Sequence, residues 1–167
     1  MGMGGGFRNF PPASTHRSGA YPLPRRATAC IITDVLQKIQ PFEMRDGMRI
    51  YRLHGKLSLV EAVDIISRAI AECRRSGAPR LLVDVTGVEE LPVPTLVDRF
   101  LMVEDWAQAA QSMVIVAMVT HARYIHPRKF GVKVAAHLGL TCDVFTSWDV
   151  ASKWLQGVDV SIGPAQG

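Results

Sequence analysis

One stretch limits the folds open to this chain more than any other: Arg80–Phe100, RLLVDVTGVEELPVPTLVDRF. Its first part, Arg80–Val85, is largely continuous leucine and valine, as expected for an inner parallel strand covered on both faces; a half-exposed strand would alternate with polar residues. Thr86 and Gly87 then read as a turn, and Thr95, with Asp98 three residues on, can cap a helix. A strand that turns into a helix is the first half of a β-α-β unit, so the chain must supply further parallel strands to complete it. The segment carries no phosphate loop and no catalytic group, which points to a regulatory or ligand-sensing module rather than an enzyme.

The sequence around it meets that demand. Phe42–Arg45 and Met48–His54 read as a hairpin across Asp46-Gly47, a pair that supplies the positive backbone angles of a tight turn. Ser58 with Glu61 makes a capping box, and Val63, Ile66, Ala69, Ile70 and Cys73 recur at helical spacing until Ser76-Gly77. The second helix, opened by Thr95, carries Phe100, Leu101, Val103, Trp106, Ala107 and Ala110. Met113–Val119 is the next strand. Pro127 suits a first helical position and opens a third helix through Leu138, ended by Gly139. Cys142–Phe145 is the last strand, and Thr146 or Ser147 caps a helix bearing Ala151, Trp154 and Leu155. The order β-β-α-β-α-β-α-β-α, with right-handed crossovers, predicts an α/β fold. Its mainly parallel sheet has about five strands, an antiparallel N-terminal hairpin strand and four covering helices.

Composition narrows the classes of function. At 167 residues, 48% of them hydrophobic, the chain has room for one domain with a proper core, taken as residues 41–157 with a flexible tail at 158–167. No apolar run approaches the roughly 20 residues of a membrane helix, and prolines at 11, 12, 22 and 24 break any secretory signal, so the expected location is cytoplasmic. Cys30, Cys73 and Cys142 are odd in number and lack metal or redox spacing, which makes reduced structural thiols the expectation. Residues 1–40 hold Arg8, Arg17, Arg25, Arg26 and Lys38 against Asp34, the whole of the net charge of +4. With its glycine run and prolines, that leader reads as disordered or as an over-extended start, leaving open a short helix or strand at Cys30–Ile39. The remainder is charge-balanced and carries no basic stripe for nucleic acid.

Candidate sites are few. Asp84 stands at the carboxyl end of a central strand, where parallel sheets commonly place ligands, and Thr86 follows it on the turn. Residues of those types equally hydrogen-bond their own turn backbone. Thr95 puts a hydroxyl at a helix N-terminus, where the dipole favours a phosphate and where threonine is also an ordinary cap. His121 and His126 are five apart, about 140° around a helix, with no third ligand, so no metal is expected and His126 reads as a cap before Pro127. Gly55-Lys56 lacks the Ser or Thr of a phosphate loop, Gly2–Gly6 follows no strand, and no nucleophile elbow occurs, so no cofactor is expected either. Trp106, Trp148 and Trp154 fall on helices with apolar neighbours, which suits core packing or a homodimer interface better than base stacking.

GKLSLVEAVDIISRAI, RLLVDVTGV, VIVAMV, RKFGVKVAAHLGL and DVFTSWDVASKWL together resemble the STAS-type, anti-sigma-factor-antagonist-like domains, over about residues 42–156. The likeness is nearest to their bacterial branch of small stand-alone proteins of mostly unassigned function. It implies a protein-interaction switch without catalysis, in which a serine or threonine opening the second helix is phosphorylated by a partner kinase. Laid on this chain, that motif falls on Pro92-Val93-Pro94-Thr95 with Val93 at the acceptor position, so the usual hydroxyl is missing there. The expectation is a non-enzymatic module with an unidentified protein partner and Asp84, Thr86 and Thr95 as candidate interaction or switch residues. The alternative is a small binding protein for an apolar, lipid-like or anionic ligand, since related folds form a lipid pocket. An internal apolar cavity favours the second reading and an exposed apolar patch the first.

Overall fold

A computed structural model describes residues 42–159; the expectations for the leader, for Cys30–Ile39 and for the tail beyond 159 fall outside that range. The described chain opens on a hairpin, β1 (Glu43–Arg45) and β2 (Met48–Lys56). Asp46 and Gly47 join them with φ of 51° and 74°, the left-handed pair a two-residue turn needs. Then follow α1 (Leu59–Arg75), β3 (Arg80–Glu89), α2 (Leu96–Ala110), β4 (Ile115–Val119), a 3-10 turn at Ala122–Tyr124, α3 (Phe130–His137), β5 (Cys142–Phe145) and α4 (Trp148–Gly157). The sheet runs β1-β2-β3-β4-β5, with β1 antiparallel to β2 and every other pair parallel. This is the architecture the sequence predicts.

Strand order equals chain order, so each crossover helix is laid down on the same side of the sheet. Helices α1, α2 and α3 cover one face, packing on Tyr51, Leu53, Leu81, Val83, Val85 and Val116. The opposite face presents Met48, Ile50, Leu82, Ile115, Ala117 and Val119 to Ala151 and Leu155 of α4. In the middle strand, Leu81, Leu82 and Val83 are wholly buried, which accounts for the unbroken apolar run. Removing each such side chain from water contributes about 1.5–3 kcal/mol.

The helices start and stop where their caps dictate. Ser58 and Glu61 form a reciprocal capping box on α1, as Thr95 and Asp98 do on α2. Helix α1 ends at Gly77 (φ 67°), where the Ala78 amide donates to the Cys73 carbonyl and the Gly77 amide to that of Arg74. The same pair of bonds closes α3 around Gly139 (φ 75°), from Leu140 to Ala135 and from Gly139 to Ala136. Both ends thus satisfy carbonyls that a helix would otherwise leave bare.

The boundaries of β3 and α3 differ from the sequence reading, and so do those of β2, which runs on to Lys56, and β4, which starts at Ile115 and not Met113. β3 does not stop at Val85: pairing with β2 continues to Glu89 through a bulge, Arg52 opposite Asp84 and His54 opposite Gly87. The strands can continue because Gly87 lies against β2, where a Cβ would come within 2.9 Å of the His54 Cβ and 3.0 Å of the Leu53 carbonyl oxygen. Helix α3 begins at Phe130 and not at Pro127, because Lys129 takes a left-handed φ of 48° and its amide donates to the His126 carbonyl in a separate turn. Pro127 serves that turn, a position its fixed φ suits equally well. Ser147 does occupy the N-cap of α4, yet its side chain makes no capping bond.

Candidate functional site

The three residues singled out from sequence do not form one surface. Asp84 is inside β3, the last residue paired with β4, and by strand alternation it shares the face of Leu82 that α4 covers. Its Oδ1 accepts from the Thr86 amide at 3.0 Å and the Thr86 hydroxyl at 2.6 Å, so the carboxylate shapes the bulge. Thr86 is a strand residue and not part of a turn. Thr95 belongs to the layer on the other face. Its hydroxyl donates to Asp98 Oδ2 at 2.7 Å and accepts from the Asp98 amide at 3.2 Å, while its own amide donates to the same carboxylate at 2.8 Å. Those bonds hold the Asp98 carboxyl below the usual carboxylate value. Val93, at the position the resemblance gives to a phosphate acceptor, is exposed and carries no hydroxyl.

Two contacts that no local signal announces join the connections at the carboxyl ends of β3 and β4. His121 donates from Nε2 to the Thr86 carbonyl at 3.0 Å, and the Tyr124 hydroxyl donates to the Leu91 carbonyl at 2.9 Å. His126 Nδ1 accepts from the Arg128 amide at 3.2 Å, stabilising the turn before α3. Neither histidine gathers further ligands: among the described residues no group of three or more His, Cys, Asp or Glu could hold a metal. Among them, too, no helix is long and apolar enough to cross a membrane.

Beneath α2 lies an apolar cavity of about 100 Å³, walled by α1, α2, α3 and the sheet. Val63 and Ile66 of α1, Met102, Val103 and Trp106 of α2, Met118 of β4 and Val144 of β5 line it. The Trp106 indole donates to the Val63 carbonyl at 3.3 Å, which fixes the ring as one wall. Two cations, Arg99 and Lys129, border the same space, together with His126. Lys129 is engaged with Asp143 Oδ1 at 2.6 Å. Burial lowers the pKa of the Arg99 guanidinium, an effect that neighbouring Asp98 offsets in part. Cys142, also in the lining, has its thiol pushed up to about 12 by burial and then by the Asp143 charge; Cys73 rises to about 11, mainly by burial. Both sulfurs therefore stay protonated near neutral pH and are poor nucleophiles.

The outer side of α2 contrasts with its inner side. Only Val103, Trp106 and Ala110 of that helix are fully buried, whereas Leu96, Val97 (67% exposed), Phe100 (43%) and Leu101 (52%) face outward. A groove beside α1 adds Val60 next to Leu101, with Asp64, Asp98 and Asp105 along it. On the α3 side, Leu96 adjoins His126, Arg128 and Lys133. The sequence places Phe100 and Leu101 among the apolar residues this helix carries; in the structure they face outward, because α2 is apolar on most of its circumference and only one arc meets the sheet.

No protein-family model matches the chain, and no curated protein matches it. Among solved structures, it is similar to an anti-sigma factor antagonist from Mycobacterium paratuberculosis, at 17% identity and a TM-score of 0.46, over 71% of this chain and 92% of that one. It is also similar to the anti-sigma factor antagonist SpoIIAA in its unphosphorylated form, at 15% identity and a TM-score of 0.43, over 72% of this chain and 99% of that one.

Proposed function

We propose that the protein is a non-enzymatic regulatory module that binds a protein partner through the outer face of α2. The observation that carries this reading is the exposed stripe Leu96, Val97, Phe100 and Leu101, four large apolar side chains on successive turns of one helix. Contiguous apolar surface on a folded domain marks interaction sites, whereas scattered apolar residues do not. Acidic side chains flank the stripe toward α1 and basic ones toward α3, a polar rim around an apolar centre as interfaces have. Thr95 heads the stripe and belongs to this surface. Asp84 and Thr86 act indirectly, by setting the path of β3 into the loop before α2.

The switch in this reading is not phosphorylation at the second helix. Val93 offers no acceptor, and the Thr95 hydroxyl is spent on its capping box. Affinity capture with the full chain, wild type against Val97→Asp/Phe100→Glu, tests the surface. The expected outcome is a species retained by the wild type and lost by the double variant, while the melting temperature stays within a few degrees. Equal capture by both proteins would place the partner surface elsewhere.

A further inference from the structure

The cavity under α2 differs from an ordinary packing defect in its rim. Space left by imperfect packing is lined by apolar groups alone, as engineered cavities are. Here two unpartnered polar groups border the apolar space. Thr120 lines it and is about 5% exposed, yet its hydroxyl has no hydrogen-bond partner among the described residues. Arg99 is partly withdrawn from water and, among the described residues, makes no ion pair or side-chain hydrogen bond. An occupant that brings an anionic head and an apolar tail pairs with both groups and fills the space behind them.

We propose that this cavity binds a small amphipathic carboxylate, its hydrocarbon tail against Val103, Trp106 and Met118 and its carboxylate at Arg99 and Thr120. The size selects a short tail. An engineered cavity of about 150 Å³ takes the six carbons of one benzene ring, so about 100 Å³ holds a tail of roughly four carbons. His126 supplies a further donor at the rim through its Nε2, since its Nδ1 is occupied by the Arg128 amide. Lys129 contributes positive field and little more, because its ammonium is already paired with Asp143. The site stands on the inner side of α2 and does not depend on the protein-partner reading of the outer side.

The test uses the full chain with methyl-labelled methionines and sodium pentanoate as the probe. Met102 and Met118 line the cavity, whereas Met44 and Met113 are exposed and serve as controls. Saturable shifts at Met102 and Met118, with Met44 and Met113 unmoved, are expected. Arg99→Gln should weaken pentanoate about tenfold and leave 1-pentanol unchanged, because it removes the charge and keeps the shape. Gly131→Leu should abolish both, since a Cβ there meets only Val103, at 3.7 Å, and the longer side chain fills the space. Lengthening the probe to dodecanoate should add little once the tail outgrows the cavity; a continued gain would assign the effect to the exposed stripe and overturn the proposal. So would shifts at the exposed methionines alone, no saturation at all, or pentanoate binding that neither variant alters.

Discussion

The two faces of the sheet solve the same problem with different completeness. On the α4 side, one short helix lays Ala151 and Leu155 directly on the strands. The Arg80 guanidinium reaches across to donate to the Leu155 and Val158 carbonyls at 3.0 and 3.1 Å, closing the C-terminal end of the helix. On the other side, three helices share the burial and still leave a cavity beneath α2, with apolar side chains turned outward above it. Burial by itself would favour exchanging those positions for smaller inner gaps and a polar outer surface. The α4 face behaves as scaffold, and the three-helix face keeps its unfilled volume and its uncovered surface in one element, α2.

The largest expected effect tests what the two faces have in common. Val83→Asp places a charge in the fully buried middle strand with no partner in reach. Its cost of several kcal/mol is comparable to the whole stability of a domain, so circular dichroism should find the variant unfolded at 25 °C. The next sharpens the contrast directly. Leu155→Ala on the closed face should cost about 3 kcal/mol in urea unfolding, while Met102→Ala beside the cavity should cost about 1 kcal/mol, because its side chain already faces open space. Equal costs would mean that the cavity collapses in solution and the contrast is false.

The smallest effect concerns the cap that opens α2. The Asp98 carboxyl is depressed in the folded state by its bonds to Thr95, so the stabilisation it gives is fully present above the unfolded carboxylate value. It is lost as the pH falls through the lower folded value. Thr95→Ala should therefore lower the melting temperature at pH 7 by a few degrees, and the gap between wild type and variant should narrow in acid. A gap independent of pH would assign the cap to the hydroxyl alone.

Much of this was readable from the chain because it rests on short-range chemistry. Asp46-Gly47, the Ser58–Glu61 and Thr95–Asp98 boxes, and Gly77 and Gly139 each act within a few residues, and each appears where expected. The extension of β3 to Glu89 was not readable, since it depends on Gly87 sliding past His54 of another strand. The start of α3 was misread because Lys129, a residue with no special claim to a left-handed conformation, adopts one. The candidate site suffered most. Asp84, Thr86 and Thr95 are close in sequence yet divided between the two faces, while Arg99 of α2 meets Thr120 and His126 of the connection after β4 through tertiary packing alone.

Helix α2 is a wall with two apolar sides: its inner arc bounds the cavity and its outer arc carries Val97, Phe100 and Leu101. Any shift or tightening of that helix is felt on both. Thermodynamic linkage then imposes a reciprocity: if filling the cavity changes the affinity for a partner on the outer arc by some factor, the partner changes the affinity for the occupant by the same factor. A single helix, too thin to insulate one side from the other, would on these proposals make an input and an output of the same fifteen residues.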